Sequence, residues 1–276
     1  MNECLEEIGG CFDCPDPSDF IAEDIIGGEV IQREPTLDLR TRFFRAKDQG
    51  ATVMCTAFAL LHAFEIMNEL EHEENIDFDA KELWRVMKEI GLTFREGSTL
   101  QNALKILLQI GAEFESNNYE IKGYARIQDV SFDGLYDWLG KGYPIYTGAR
   151  MSSLLTRQNN GFFVEGGAGH AFCIVGGDLQ QRELTCVNSY GEKWGAFDDG
   201  SFIIPEKDLV NLYSCYVIHD KEDEGIISKF NRERAKMRNK AIWHLANKNR
   251  QFALLEPYCI TIQETAHECN EYIANI

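Results

Sequence analysis

The chain has 276 residues, a mean hydropathy of -0.30 and 44% hydrophobic residues, enough to bury a sizeable core without disulfide or metal staples. Its formal net charge of -18 sets it against general nucleic-acid binding, because a polyanion is repelled outside a local basic patch. No apolar run of the roughly 18 residues needed to span a bilayer occurs, so no transmembrane segment is expected.

Residues 1–36 read as a loosely structured acidic leader. They lack sustained periodicity, and Pro15, Pro17 and Gly27-Gly28 interrupt any element. Eleven acidic residues against two arginines fall within residues 1–40. Acids stand where a secretory signal needs a basic region, which predicts a cytoplasmic protein, or one delivered to another cell's cytosol without a signal peptide. Nine cysteines, an odd number without framework spacing, fit reduced thiols. Cys11 and Cys14, with Cys4 nearby, form half of a zinc-type spacing; a lone pair is a weak signal, and incidental or redox-labile thiols explain it better.

The next stretch, Lys47 to Glu69, places Cys55 where a Gly-bearing turn gives way to a long apolar helix. Phe58, Leu61, Phe64 and Ile66/Met67 recur near helical spacing, which predicts a helix starting at or just before Cys55 and buried on most of its circumference. The amides and macrodipole at such a start favour a thiolate. A free cysteine packed as a small hydrophobe is the alternative at this point.

From Asp79, Leu83, Val86/Met87 and Ile90 mark a short amphipathic helix with Gly91 at its C′ position. Ser98 or Thr99 can cap another, with Leu100, Leu104 and Leu107/Leu108 facing the core before Gly111. Leu135, Trp138 and Leu139 mark a third, ended by Gly140 and Gly142, and β character follows from Ile145 to Ala149. A long polar loop, 151–169, precedes His170. Runs 170–177, 183–188, 200–204 and 212–218 read as strands. Helices early and strands late make an α+β chain with its site between two subdomains.

A cysteine nucleophile needs a base, and the base an orienter. His170 stands in a Gly-rich loop running into the apolar run Ala171–Val175, at the mouth of a buried strand. Asn188 ends another β-rich run; there an Asn can accept the His Nδ1 proton, and Trp194 is close enough to cover the pair.

These residues together resemble the papain-like cysteine peptidases. Gln49-Gly50 precede Cys55-Thr56-Ala57-Phe58 at the family's spacing, and His170-Ala171 through Gly176 is similar to its second motif. Asn188-Ser189-Tyr190-Gly191, Trp194-Gly195 and Gly200-Ser201-Phe202-Ile203 match its third. Similarity extends through Ser98–Glu115 and Phe132–Arg150, so it covers about residues 36–218. Three positions depart. Thr52 replaces a disulfide cysteine, Thr56 the Trp after the nucleophile, and Tyr190 the Trp of the Asn-Ser-Trp motif. These departures bear on an oxidised extracellular setting and on the shape of the cleft, and leave the catalytic chemistry in place.

The resemblance implies a two-lobed fold over residues 37–220, a helical left lobe and an antiparallel β right lobe, and peptide or isopeptide hydrolysis of a polypeptide substrate without a cofactor. It casts Cys55 as nucleophile, His170 as acid and base, Asn188 as orienter and Gln49 as oxyanion donor. Trp194, Ala171 and Gly169 would border the substrate, with Trp194 shielding the His–Asn bond. Two other classes share these residues: an acyl transferase passing the acyl group to an amine, and a non-catalytic binding module on the same fold. Residues 221–276 read as a helical extension. Lys229 to Arg250 holds eight Lys/Arg against one acid, a basic helix that either packs on its own domain or docks on the leader, an acidic partner or a membrane surface.

Overall fold

The computed structural model describes residues 20–27, 32–41, 43–94, 97–151, 168–195, 197–220 and 226–231. The chain divides into two compact units, Met1–Asp223 and Glu224–Ile276. Of the second, residues 226–231 are helical, and Phe230 is buried. The rest of the expected basic helix, the Cys11/Cys14 pair and most of the 151–169 loop lie outside the described residues. No helix among those described is long and apolar enough to cross a membrane.

The first unit is built on α2 (Cys55–His72), 18 residues of which Cys55 through Phe64 are all buried. A helix apolar on nearly every side must be covered on nearly every side. Helices α3 (Ala80–Glu89) and α4 (Leu100–Gln109) pack on it. Leu61, Phe64, Leu83, Met87, Leu104 and Leu107 form their shared core, with Phe64 stacked on Phe78 at 5.0 Å. Both smaller helices carry local start signals: the Asp79 side chain accepts from the Lys81 N–H, and Thr99 accepts from Asn102. Ser98, the other cap expected for α4, instead donates to the Leu92 carbonyl at 2.6 Å. A hairpin of β2 (Ala112–Phe114) and β3 (Asn117–Tyr119) completes this lobe.

The second lobe is an antiparallel sheet in the order β4-β9-β5-β6-β7-β8, from β4 (Gly123–Arg126), β5 (Ile145–Met151), β6 (Ala168–Asp178), β7 (Glu183–Val187), β8 (Ser201–Pro205) and β9 (Leu212–His219). A short β1 (Thr36–Asp38) adds to β6 through Leu37↔Gly177. Helix α5 (Phe132–Gly140), capped by Ser131, packs on β5, β6 and β7. Central strands β5 and β6 are buried through Ile145, Tyr146, Phe172, Cys173 and Ile174, which explains their near-continuous apolar runs.

The leader carries more structure than its sequence suggests. Residues Ala22–Ile25 form one helical turn, α1, with both end residues buried. Ile21 bridges to Arg126 beside β4, and the Glu23 carboxylate accepts from the Gln128 N–H at 3.0 Å. Sequence periodicity could not show this, because a four-residue turn is too short to have any.

The lobes meet where α2 packs on β5 and β6, and the Tyr146 hydroxyl on β5 donates to the Thr56 carbonyl on α2 at 3.0 Å. Gly200 holds the far side of this junction. It sits at φ +79, its N–H donates to the Trp194 carbonyl at 2.8 Å, and its carbonyl accepts the Asn188 N–H at 2.9 Å. A Cβ there would lie 2.2 Å from the Ala46 side chain. Gly200→Ala combines a left-handed backbone with overpacking, so it should destabilise the protein by about 2–4 kcal/mol in urea unfolding. A loss within about 0.5 kcal/mol would contradict this packing.

Candidate active site

Three local devices place the four candidate side chains, which are separated by up to 139 positions in the chain. The first is the start of α2, which places Cys55 at the first helical position, buried. The second is the long strand β6, which carries His170 opposite Ala149 of β5. The third is a backbone ladder between the loop before α2 and the loop after β7. Gln49 N–H donates to the Ser189 carbonyl at 2.8 Å, Gly191 N–H donates to the Lys47 carbonyl at 3.0 Å, and Asp48 bridges to Tyr190. Gln49 is thereby held beside Asn188.

His170 Nε2 lies 2.7 Å from Asn188 Oδ1. That oxygen also accepts the Ser189 N–H at 2.7 Å. The Ser189 N–H, which can only donate, identifies that end of the amide as the carbonyl, and a carbonyl only accepts. His170 therefore carries its proton on Nε2, leaving Nδ1 as the base. The ring is reversed relative to the sequence expectation, in which Nδ1 faced Asn188. Burial lowers the His170 pKa, and the bond to Asn188, which favours the imidazolium, partly opposes it. Asn188 Nδ2 is buried and finds no hydrogen-bond partner among the described residues.

The aromatic cover also differs from expectation. Tyr190 stacks on His170, with ring centroids 5.2 Å apart and planes at 30°. Trp194 packs edge-on behind Tyr190 at 5.4 Å and against Phe202 at 5.9 Å. The reason is a tight turn: Gly191 at φ +82 lets the Trp194 N–H reach the Gly191 carbonyl, folding Trp194 behind Tyr190. Shielding of the histidine thus falls to Tyr190, and Trp194 buttresses it. Burial pushes the Tyr190 hydroxyl pKa up, and negative charge on Cys55 pushes it the same way.

Ala171 does not suit the substrate-bordering role expected of it. Side chains alternate along a strand, so Ala171 faces away from His170, and it is buried. Gly169, also buried, pairs with Arg150 in the β5–β6 ladder and can offer only backbone.

Sequence reasoning missed Ser189 as the connector. Its N–H and carbonyl serve Asn188 and Gln49 as above, and its hydroxyl donates to Gln49 Oε1 at 2.5 Å. The only signal was its place within the Asn-Ser-Tyr-Gly motif. Three further cysteines, Cys173, Cys186 and Cys215, are buried in the sheet, where desolvation pushes each thiol up, Cys215 to about 12. Such thiols are inert.

No protein-family model matches the sequence, and no curated protein matches it. Solved structures do match in shape. Xylellain, a cysteine protease from Xylella fastidiosa, superposes with TM-score 0.61 at 21% identity, over 79% of this chain and 98% of that one. The digestive procathepsin L2 proteinase from Tenebrio molitor larval midgut gives TM-score 0.63 at 16% identity, over 77% and 78%. The chain has the papain-like fold. A Carica candamarcensis cysteine protease solved in complex with E-64 shares the papain-like architecture at TM-score 0.57 and 15% identity, over 68% of this chain and 100% of that one. The two-lobed α+β arrangement expected from the motifs is thus the papain-like one, with α2 central to one lobe and β6 to the other.

Proposed function

We propose that the chain is a cysteine peptidase acting on polypeptides through a Cys55 acyl-enzyme. The observation that carries this reading is the 2.7 Å bond from His170 Nε2 to Asn188 Oδ1, because it leaves Nδ1 to exchange protons at the thiol. The Cys55 thiolate attacks the scissile carbonyl carbon, and the C–N bond breaks as His170 Nδ1–H gives its proton to the leaving amine. Water then loses a proton to Nδ1 as it attacks the thioester, releasing the acid and restoring the thiol–imidazole pair. Asn188 holds the ring in plane for both transfers, and Tyr190 keeps water from their hydrogen bond.

Negative charge on the tetrahedral oxygen is met by the Cys55 backbone N–H, at the start of α2, and by Gln49 Nε2. Removing one such donor costs about 10²–10³ in rate in comparable sites. Gln49→Ala should therefore lower kcat by that factor while KM changes less than about threefold. A raised KM with kcat unchanged would assign Gln49 to ground-state binding instead.

Cys55, Cys173, Cys186 and Cys215 form no disulfide among the described residues, as expected of a reducing compartment. The activity is tested by incubating the protein with a diverse peptide mixture and identifying products by mass. Fragments whose summed mass exceeds the parent by one water establish hydrolysis. Products carrying a second amine in place of water would mean acyl transfer, and no products would reject the peptidase reading.

A further inference from the structure

Gln49 and Thr52 are joined by two hydrogen bonds of opposite sense. Gln49 Nε2 donates to the Thr52 carbonyl at 2.6 Å, and the Thr52 hydroxyl donates to the Gln49 carbonyl at 2.7 Å. The reversal that closes this turn passes through Gly50 at φ +60, whose N–H donates to Asp48 Oδ1 at 2.8 Å. Because a carbonyl accepts and never donates, the Thr52 contact fixes which end of the Gln49 amide is nitrogen. The Ser189 hydroxyl on Oε1 fixes the other end. With one Nε2 hydrogen held by Thr52, amide planarity dictates where the second one points.

A glutamine side chain has three torsions. Left free, it would have to be ordered at the moment charge develops on the substrate; held in advance, it acts without reorganising. The buried Gln49 is fixed at both ends of its amide, and one of those ends depends on a residue exposed at the surface, Thr52. Its hydroxyl is what keeps the Thr52 carbonyl within reach of Nε2.

We propose that Thr52 is a positioning residue for the Gln49 amide, closing the turn ahead of α2 so that the second Nε2 hydrogen is presented to the oxyanion. Its consequence for rate rests on the peptidase reading above; the ordering of Gln49 by Thr52 does not. Thr52 contacts no reacting atom and acts only through Gln49. Being exposed, it can be replaced without disturbing the core.

The experiment uses the full chain as wild type, Thr52→Val, Thr52→Ser, Gln49→Ala and the double variant of Gln49→Ala with Thr52→Val. Valine keeps the β-branch and removes the donor; serine restores it. Thr52→Val should lower kcat about fivefold with KM within about twofold, as expected for one hydrogen bond lost near the surface. Thr52→Ser should stay within about twofold of wild type. In the Gln49→Ala background Thr52→Val should change nothing, since its only route of action is gone. An equal fivefold loss in both backgrounds would overturn the proposal, because a merely structural role slows both alike.

A second readout needs no turnover. In ¹⁵N-labelled protein, the Gln49 side-chain amide signals, identified by their loss in Gln49→Ala, should be separated and protected from exchange in wild type and Thr52→Ser. They should shift and exchange faster in Thr52→Val. Unchanged signals in Thr52→Val would overturn the role of Thr52 whatever the activity. Signals that respond in a protein showing no hydrolysis would uphold the positioning and reject the peptidase reading.

Discussion

Cys55→Ala is expected to lower turnover by at least about 10⁴-fold while leaving the fold intact. On the proposed mechanism no other described cysteine can take the place of Cys55 as nucleophile. Cys173, Cys186 and Cys215 lie in the sheet interior with thiols driven upward by burial, and none sits at a helix start. Groups that act as one unit lose nearly the whole effect when any member goes. His170→Ala should therefore be almost as damaging, and combining it with Cys55→Ala should add little. Stability should barely change, because sulfur to hydrogen at one buried site removes a single heavy atom. Circular dichroism and urea unfolding of Cys55→Ala alongside kinetics separate the two effects. Full activity in Cys55→Ala would contradict the mechanism.

The second large effect concerns acid stability and a histidine away from the chemistry. His62, on the buried face of α2, accepts the Lys47 N–H through Nε2 at 3.0 Å and packs against Phe44 at 5.4 Å. An acceptor nitrogen cannot carry a proton, so the native state needs His62 neutral. Burial, reinforced by the Lys47 charge, lowers its pKa from 6.5 to about 3.

The unfolded chain takes up this proton near pH 6.5, the folded chain only far below, so stability is kept above that pH and lost as pH falls beneath it. At about 1.4 kcal/mol per pH unit, the loss from pH 8 to pH 4 is about 3 kcal/mol. Glu65, raised to about 7 by burial, acts in the opposite sense between pH 4.5 and 7 and shares Lys47 with His62. His62→Gln keeps an acceptor for Lys47 and leaves Glu65 in place, so the comparison isolates His62. Urea unfolding at both pH values should show wild type losing about 3 kcal/mol more than His62→Gln. Equal losses would contradict the assignment. The site depends on this strut: Lys47 lies two residues before Gln49, and Lys47 Nζ meets Glu65 Oε1 of α2 at 2.8 Å.

The parts legible in the sequence are those with local causes. An apolar 18-residue helix with a cysteine at its head, Asp79 and Thr99 as caps, and Gly91 at φ +78 after α3 all follow from neighbouring residues. Strand runs at 183–188, 200–204 and 212–218 came within about two residues of β7, β8 and β9, since each is an apolar run between turns. The three-residue strands β1, β2 and β3 were illegible. They are too short for periodicity, and β1 can lie against β6 because Gly176 has no side chain where Leu37 and Asp38 approach.

The same division holds at the site. Cys55, His170, Asn188 and Gln49 stood out as candidates because each stands in a motif with its own turn or strand signal. Which ring nitrogen meets Asn188, and which aromatic covers His170, were not. Both depend on how the 188–194 turn folds back, a matter of Gly191 backbone and of packing from distant Phe202. Trp194 was expected as the cover from its closeness to Asn188 in the sequence. The turn selected by position.

The central claim is that Cys55 is an activated nucleophile within an assembled site, although Cys55 is only 1% exposed. The most direct test is intact-protein mass after treatment with an epoxide of the E-64 type, beside a Cys55→Ala control. One adduct on wild type, absent from the control, is the expected result. No adduct on wild type, or the same adduct on both proteins, would contradict the account and favour a papain-like fold kept for binding.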